Sequence, residues 1–145
     1  MTFSEKSDGT PSRKFDEFIR IAEELNNIDI IPLLMGSVGM EVVTKRCWDA
    51  RDIDIHVPGD RRGFQVPPEL AVYKWDRIMS IMISMGYELT DLSEHAFHKD
   101  GISVEFGISD TLPGFAGVSL EELELFQTGK AEYFLPNTHQ YLQVY

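Results

Sequence analysis

The chain has 145 residues, 43% hydrophobic and 26% charged, and its 13 basic against 24 acidic side chains leave a net charge of -11. That length suits one domain with a real core, and the acidic balance repels phosphate backbones and attracts cations, which disfavours extensive nucleic-acid binding. A single cysteine, Cys47, excludes an internal disulfide and favours a cytoplasmic setting; no apolar run approaches the ~18 residues of a membrane span, and no CxxC or Cys/His cluster suggests zinc.

Residues 1–12 are polar, lack the apolar core of a signal peptide and read as a flexible leader to a single domain over 13–145. Phe15, Phe18, Ile19, Ala22 and Leu25 recur at helical spacing among acidic residues, which predicts an amphipathic helix over 13–27. Residues 30–35 are a short apolar run ending at Gly36, a buried strand with Pro32 near its start or on an edge. Gly36-Ser37-Val38-Gly39 then turns the chain into a short helix with Met40, Val42 and Val43.

Asp52–Val57 alternates polar and apolar residues and is closed by Pro58-Gly59, the pattern of a strand. Residues 60–68, with Arg61, Arg62 and Gly63, predict a surface loop. Residues 69–85 predict one helix with a broad apolar face, ended by Gly86 as a C-cap. A short strand at 87–89 precedes a hairpin, 95–99 and Ile102–Ile108, turning at Asp100-Gly101. Beyond a loop at 112–117, Ser119-Leu-Glu-Glu resembles a capped helix start, residues 133–135 a short strand, and Thr138 the cap of a last helix. There are no internal repeats.

The chemistry lies in two of these strands. Alternation turns Ile53, Ile55 and Val57 one way and Asp52, Asp54 and His56 the other. Two carboxylates so close repel each other, and a divalent cation removes the conflict, since Mg²⁺ prefers oxygen ligands and is often held by two carboxylates plus substrate phosphates. In Ile102–Ile108, Glu105 projects away from Val104 and Phe106, between small Ser103 and Gly107; neighbouring strands would make it a third carboxylate. Gly36 allows close approach of backbone amides to an anion, and Ser37 adds a hydroxyl donor.

This order, an apolar strand ending in Gly-Ser, an Asp-x-Asp strand and a later strand glutamate, resembles the nucleotidyltransferase superfamily that includes DNA polymerase beta and the minimal and antibiotic nucleotidyltransferases. The spacing from Ser37 to Asp52, and Arg51 just before the Asp pair, are closer to its lincosamide-type enzymes. The resemblance covers residues 30–108. It implies an α/β (α+β) fold with a mixed, twisted sheet and helices packed on one face, the carboxylates lying on the other. It implies that Asp52, Asp54 and Glu105 hold Mg²⁺ or Mn²⁺, that Gly36 and Ser37 hold the phosphates of an NTP, and that a nucleoside monophosphate passes to a hydroxyl of a small-molecule or protein acceptor. Glu105 would bridge metal and acceptor or serve as base.

Other residues carry two readings each. Lys45, Arg46 and Arg51 contact the triphosphate or form a solvated helix end and loop; Arg61 and Arg62 are loop surface or close over substrate; His56 is a neighbour of the Asp pair or a surface residue rather than a ligand. Cys47 and Trp48 read as packing residues. The acidic surface favours a cationic acceptor of aminoglycoside-like character. The chain has little room for the C-terminal helical domain of the larger enzymes, so a second subunit completes the acceptor site, the chain is truncated, or the protein is an inactive nucleotidyltransferase-fold module, such as an antitoxin or regulatory partner. A phosphodiesterase using the same carboxylates is disfavoured by the charge.

Overall fold

Helix α1, Arg13–Asn26, forms because Phe15, Phe18, Ile21, Ala22 and Leu25 recur every three or four residues and are all buried on one stripe. The computed structural model describes residues 13–36, 38, 52–111 and 123–136. The leader at 1–12, the short helix at 40–43, Cys47, Trp48, the loop at 112–117, the helix start at Ser119 and the cap at Thr138 lie outside these residues. Ile19, expected in the stripe, is only partly buried, and Ile21 takes its place.

The Asn26 side chain fastens the end of α1. Its amide donates to the carbonyls of Ile30 and Glu132, at 3.0 and 3.1 Å, while the Glu132 amide donates to its Oδ1 at 2.8 Å.

The described strands make one mixed seven-stranded sheet. They are β1 (Leu33–Met35), β2 (Asp52–Val57), β3 (Glu88–Asp91), β4 (Ala96–Lys99), β5 (Ile102–Ile108), β6 (Glu124–Thr128) and β7 (Ala131–Leu135), in the spatial order β3-β4-β5-β2-β1-β7-β6. The pairs β2–β5 and β1–β7 are parallel, and the other neighbours are antiparallel. The expected strand over 30–35 is shorter than its apolar run, although Ile30 is buried. The hairpin β4–β5 turns at Asp100-Gly101 as anticipated, both residues having the positive φ, 47° and 81°, that such a turn requires.

One face of the sheet carries the core. Ile53, Ile55 and Val57 of β2 and Val104, Phe106 and Ile108 of β5 pack with Phe18, Leu25, Ile78, Met82 and Phe97, each large side chain contributing roughly 1.5–3 kcal/mol by leaving water. Helix α1 lies against β2 and β7 and also meets the helix Trp75–Ser84.

The single helix expected over 69–85 is two. A one-turn helix α2, Pro68–Ala71, is separated from α3, Trp75–Ser84. Val72 adopts extended backbone and bridges Gly59, the Tyr73 amide donates to the Pro58 carbonyl, and Lys74 enters the left-handed region at φ 60°. Pairing with the segment after β2 thus outweighs the helical periodicity. The loop before α2 contains a 3-10 turn, Gly63–Gln65. Gly86 follows α3 with φ 94°.

Residues 124–128 form a strand, which the helical reading from Ser119 did not anticipate; β6 pairs with β7 through a turn at Gly129-Lys130, with Gly129 at φ 60°.

An acid is buried beneath α1. Glu17, 4% exposed, accepts from the Tyr87 hydroxyl at 2.7 Å and pairs with Lys99 at 3.0 Å and Arg20 at 2.6 Å. Lys99 also donates to the Met85 carbonyl and lies over the Tyr87 ring. Burial alone would push the Glu17 carboxyl up, but hydrogen bonds from Tyr87, Lys99 and Arg20 and the Lys99 charge together bring it below the usual range. The Tyr87 hydroxyl, buried against that carboxylate, is pushed well up.

Among the described residues no helix is long and apolar enough to cross a membrane.

Candidate functional site

The second face of the sheet is ordered in rows by strand register. The first row runs Met35, Asp54, Glu105, Ala96 across β1, β2, β5 and β4; the second runs Asp52, Ser103, His98; the third runs Phe134, Leu33, His56, Gly107. Asp54 and Glu105 are therefore direct neighbours on parallel strands, at the strand spacing of about 4.8 Å. Asp52 stands one pleat away on the same face. Leu33 and Met35 are buried there too, apart from the main core.

Electrostatics records the crowding. Burial pushes the Glu105 carboxyl up, and the charges of Asp54, Asp52, Glu94 and Asp91 push it further. Ala96 lies directly across from Glu105 on β4.

Gly36 follows β1 with φ 71°, and a Cβ on it would lie 2.9 Å from the Asp54 Cβ and 3.5 Å from Asp54 Oδ2. The Asp54 side chain is thus seated against bare backbone. Gly36→Ala is expected to cost about 1–2 kcal/mol through the left-handed backbone alone and to displace Asp54 as well; chemical denaturation checks the first and nucleotide affinity the second.

His56 is closer to the acids than its sequence position suggested. Its Nε2 lies 3.4 Å from Asp54 Oδ1, and its ring occupies the space over Gly107. Only the period-two pattern of its strand pointed to it.

Of the residues singled out in the sequence, Gly36, Asp52, Asp54 and Glu105 come together at the centre of the sheet, while Ser37, Lys45, Arg46 and Arg51 lie outside the described residues. Arg62 is held within its own loop by Asp60, through contacts of 2.7 and 3.0 Å, and those bonds hold the Asp60 carboxyl down to about 2. Among the described residues no group of three or more His, Cys, Asp or Glu side chains is placed to hold a metal ion, so Asp52, Asp54 and Glu105 do not form the three-carboxylate metal cluster expected from the sequence. The carboxylates form a row rather than a shell.

No family model matches the chain. No solved structure matches it. The uncharacterized protein YnaI of Bacillus subtilis (strain 168) is 36% identical over 132 residues, which span 90% of this chain and 79% of that protein. With that identity over most of both sequences, the chain belongs to the same family as YnaI.

Proposed function

We infer that the chain is a divalent-metal-dependent nucleotidyltransferase, moving a nucleoside monophosphate from an NTP to a hydroxyl of a small-molecule or protein acceptor. The observation that carries this reading is the in-register pair Asp54 and Glu105, with Asp52 on the same face and Gly36 backing Asp54.

The donor set suits Mg²⁺ or Mn²⁺. Mg²⁺ is usually held by one or two carboxylates together with substrate phosphates, not by an all-protein cage, and a row of acids in mutual repulsion is relieved by such an ion. A bound ion would supply Lewis-acid stabilisation of the attacking and leaving oxygens of an in-line displacement at the α-phosphorus. Asp52 and Asp54 offer the oxygens that hold it. Gly36 lets the chain approach the phosphates closely. Glu105, its carboxyl above the usual range, is suited to take the proton of the acceptor hydroxyl. Glu94 and Asp91 add to the negative field at Glu105 and favour a cationic acceptor.

Calorimetric titration of the four NTPs, with Mg²⁺ and with a chelator, tests the reading on the wild type and Glu105→Gln. The wild type is expected to bind at least one NTP in a Mg²⁺-dependent manner. The variant is expected to retain binding within ~10-fold and to lose transfer by about 100-fold or more. The variant should also melt higher at neutral pH. A raised carboxyl means that ionised Glu105 works against the fold above its folded-state pKa, and the wild type recovers that deficit as the pH falls through it. Absence of Mg²⁺-dependent binding of any NTP by the wild type rejects the assignment.

A further inference from the structure

We propose that His56 is a positioning residue of this site: its Nε2–H holds the Oδ1 side of Asp54, and position 107 is bare so that the imidazole can lie there. The inference rests on the functional reading above and deepens it.

Three observations converge on His56. Its Nε2 is 3.4 Å from Asp54 Oδ1, long for a hydrogen bond and of the kind that tightens when a site is loaded. A Cβ at Gly107 would fall 2.7 Å from Nε2, 2.9 Å from Cε1 and 3.0 Å from Cδ2, so any other residue there would displace the ring. Its Nδ1 is buried with no hydrogen-bond partner among the described residues.

The third observation favours one tautomer of the neutral ring. A proton on Nδ1 would bury an unpaired N–H and, in the neutral ring, aim the Nε2 lone pair at a carboxylate oxygen. A proton on Nε2 leaves only an unfilled acceptor buried and points a donor at Asp54, the less costly arrangement. Oδ1 of Asp54 then faces the His56 donor, while Oδ2 lies on the side of Gly36, where the reading above puts the nucleotide phosphates. Groups that orient a metal-binding carboxylate in this way are typically worth 10–100-fold in metal affinity.

A double-mutant cycle of His56→Ala and Gly107→Ala tests this, read as the Mg²⁺-dependent affinity for whichever NTP the wild type binds. Each single change is expected to weaken that affinity about 10-fold, and Gly107→Ala should cost nothing further once the imidazole is gone. His56→Gln, whose amide nitrogen reaches the place of Nε2, should restore most of the affinity; His56→Asn, whose amide stops at Nδ1, should not. A purely structural role would make the Gln and Asn variants equivalent and would follow the melting temperature. Additive losses, or Asn rescuing as well as Gln, overturn the proposal.

Long-range ¹H–¹⁵N spectra of the imidazoles supply a readout that needs no nucleotide: His56 is expected as the Nε2–H tautomer, with a resonance that moves in Asp54→Ala. An Nδ1–H tautomer overturns the proposal even if the nucleotidyltransferase reading stands. Intact Mg²⁺-dependent binding in Asp54→Asn instead rejects that reading, and with it the nucleotide role of His56.

Discussion

Asp54→Asn is expected to weaken Mg²⁺-dependent nucleotide binding and transfer by more than ~100-fold while the fold survives. Removing an indirect partner of a metal ligand already costs 10–100-fold, and Asp54 is placed to be a ligand itself, at the centre of the row formed by Met35, Glu105 and Ala96. Asn keeps the shape and can still accept from His56, so the loss reports the charge and not the packing. The Asp54 side chain is 36% exposed and stands opposite the core face, which leaves the hydrophobic cluster untouched. Relief of the field at Glu105 should leave the melting temperature equal or higher. Calorimetry with and without Mg²⁺, beside a thermal melt, separates the two effects. Unchanged Mg²⁺-dependent affinity would sink the assignment of this face as a metal site.

The second large effect concerns stability. Glu17→Ala is expected to destabilise the protein by about 3 kcal/mol, a fall of roughly 10 °C in melting temperature for a chain of this size. The change strips the buried Tyr87 hydroxyl of its acceptor and leaves Lys99 beneath α1 without its counter-charge. Such a loss is larger than the worth of an exposed ion pair because the Tyr87 hydroxyl left behind is buried and has no water to turn to.

The same network sets an acid limit. A carboxyl lowered by its partners in the folded state contributes its full stability above the unfolded-state value near 4.5 and loses it as the pH falls through the folded-state value. In Glu17→Gln the acid limb of the stability profile should therefore be shallower than in the wild type. A parallel limb would show that Glu17 is not linked to folding.

Strand β2, strand β5 and the turn between β4 and β5 were legible in the sequence because each has a strong local signature. One face of each strand is apolar and buried, so period-two alternation fixes which residues face the site, and Asp-Gly suits a turn with two positive φ angles. What depends on distant partners was not legible. The run from Leu70 to Met85 keeps helical periodicity throughout, yet Val72 leaves the helix to bridge Gly59, a contact no local pattern encodes. Strand β6 is exposed on both faces and so has no alternation to read. Glu17 looked like another polar position on an amphipathic helix until Tyr87 and Lys99 closed over it. His56 was visible on the right face, but the empty place over Gly107 that brings it to Asp54 emerges only from the pairing of β2 with β5.

The parallel pairing of those two strands has a consequence for how the site comes into being. Parallel neighbours cannot be joined by a tight turn, so β2 and β5 are linked by a crossover containing α2, α3, β3 and β4. Asp54 and Glu105 thus enter from opposite ends of a long excursion. No hairpin or other short local fragment contains both. The pairing of Asp54 with Glu105 exists only after the excursion has closed, and the repulsion between those two is absent from the unfolded chain. A ligand that neutralises the row would bind the finished protein in preference to every earlier form, which makes occupancy of the site a report on completed folding.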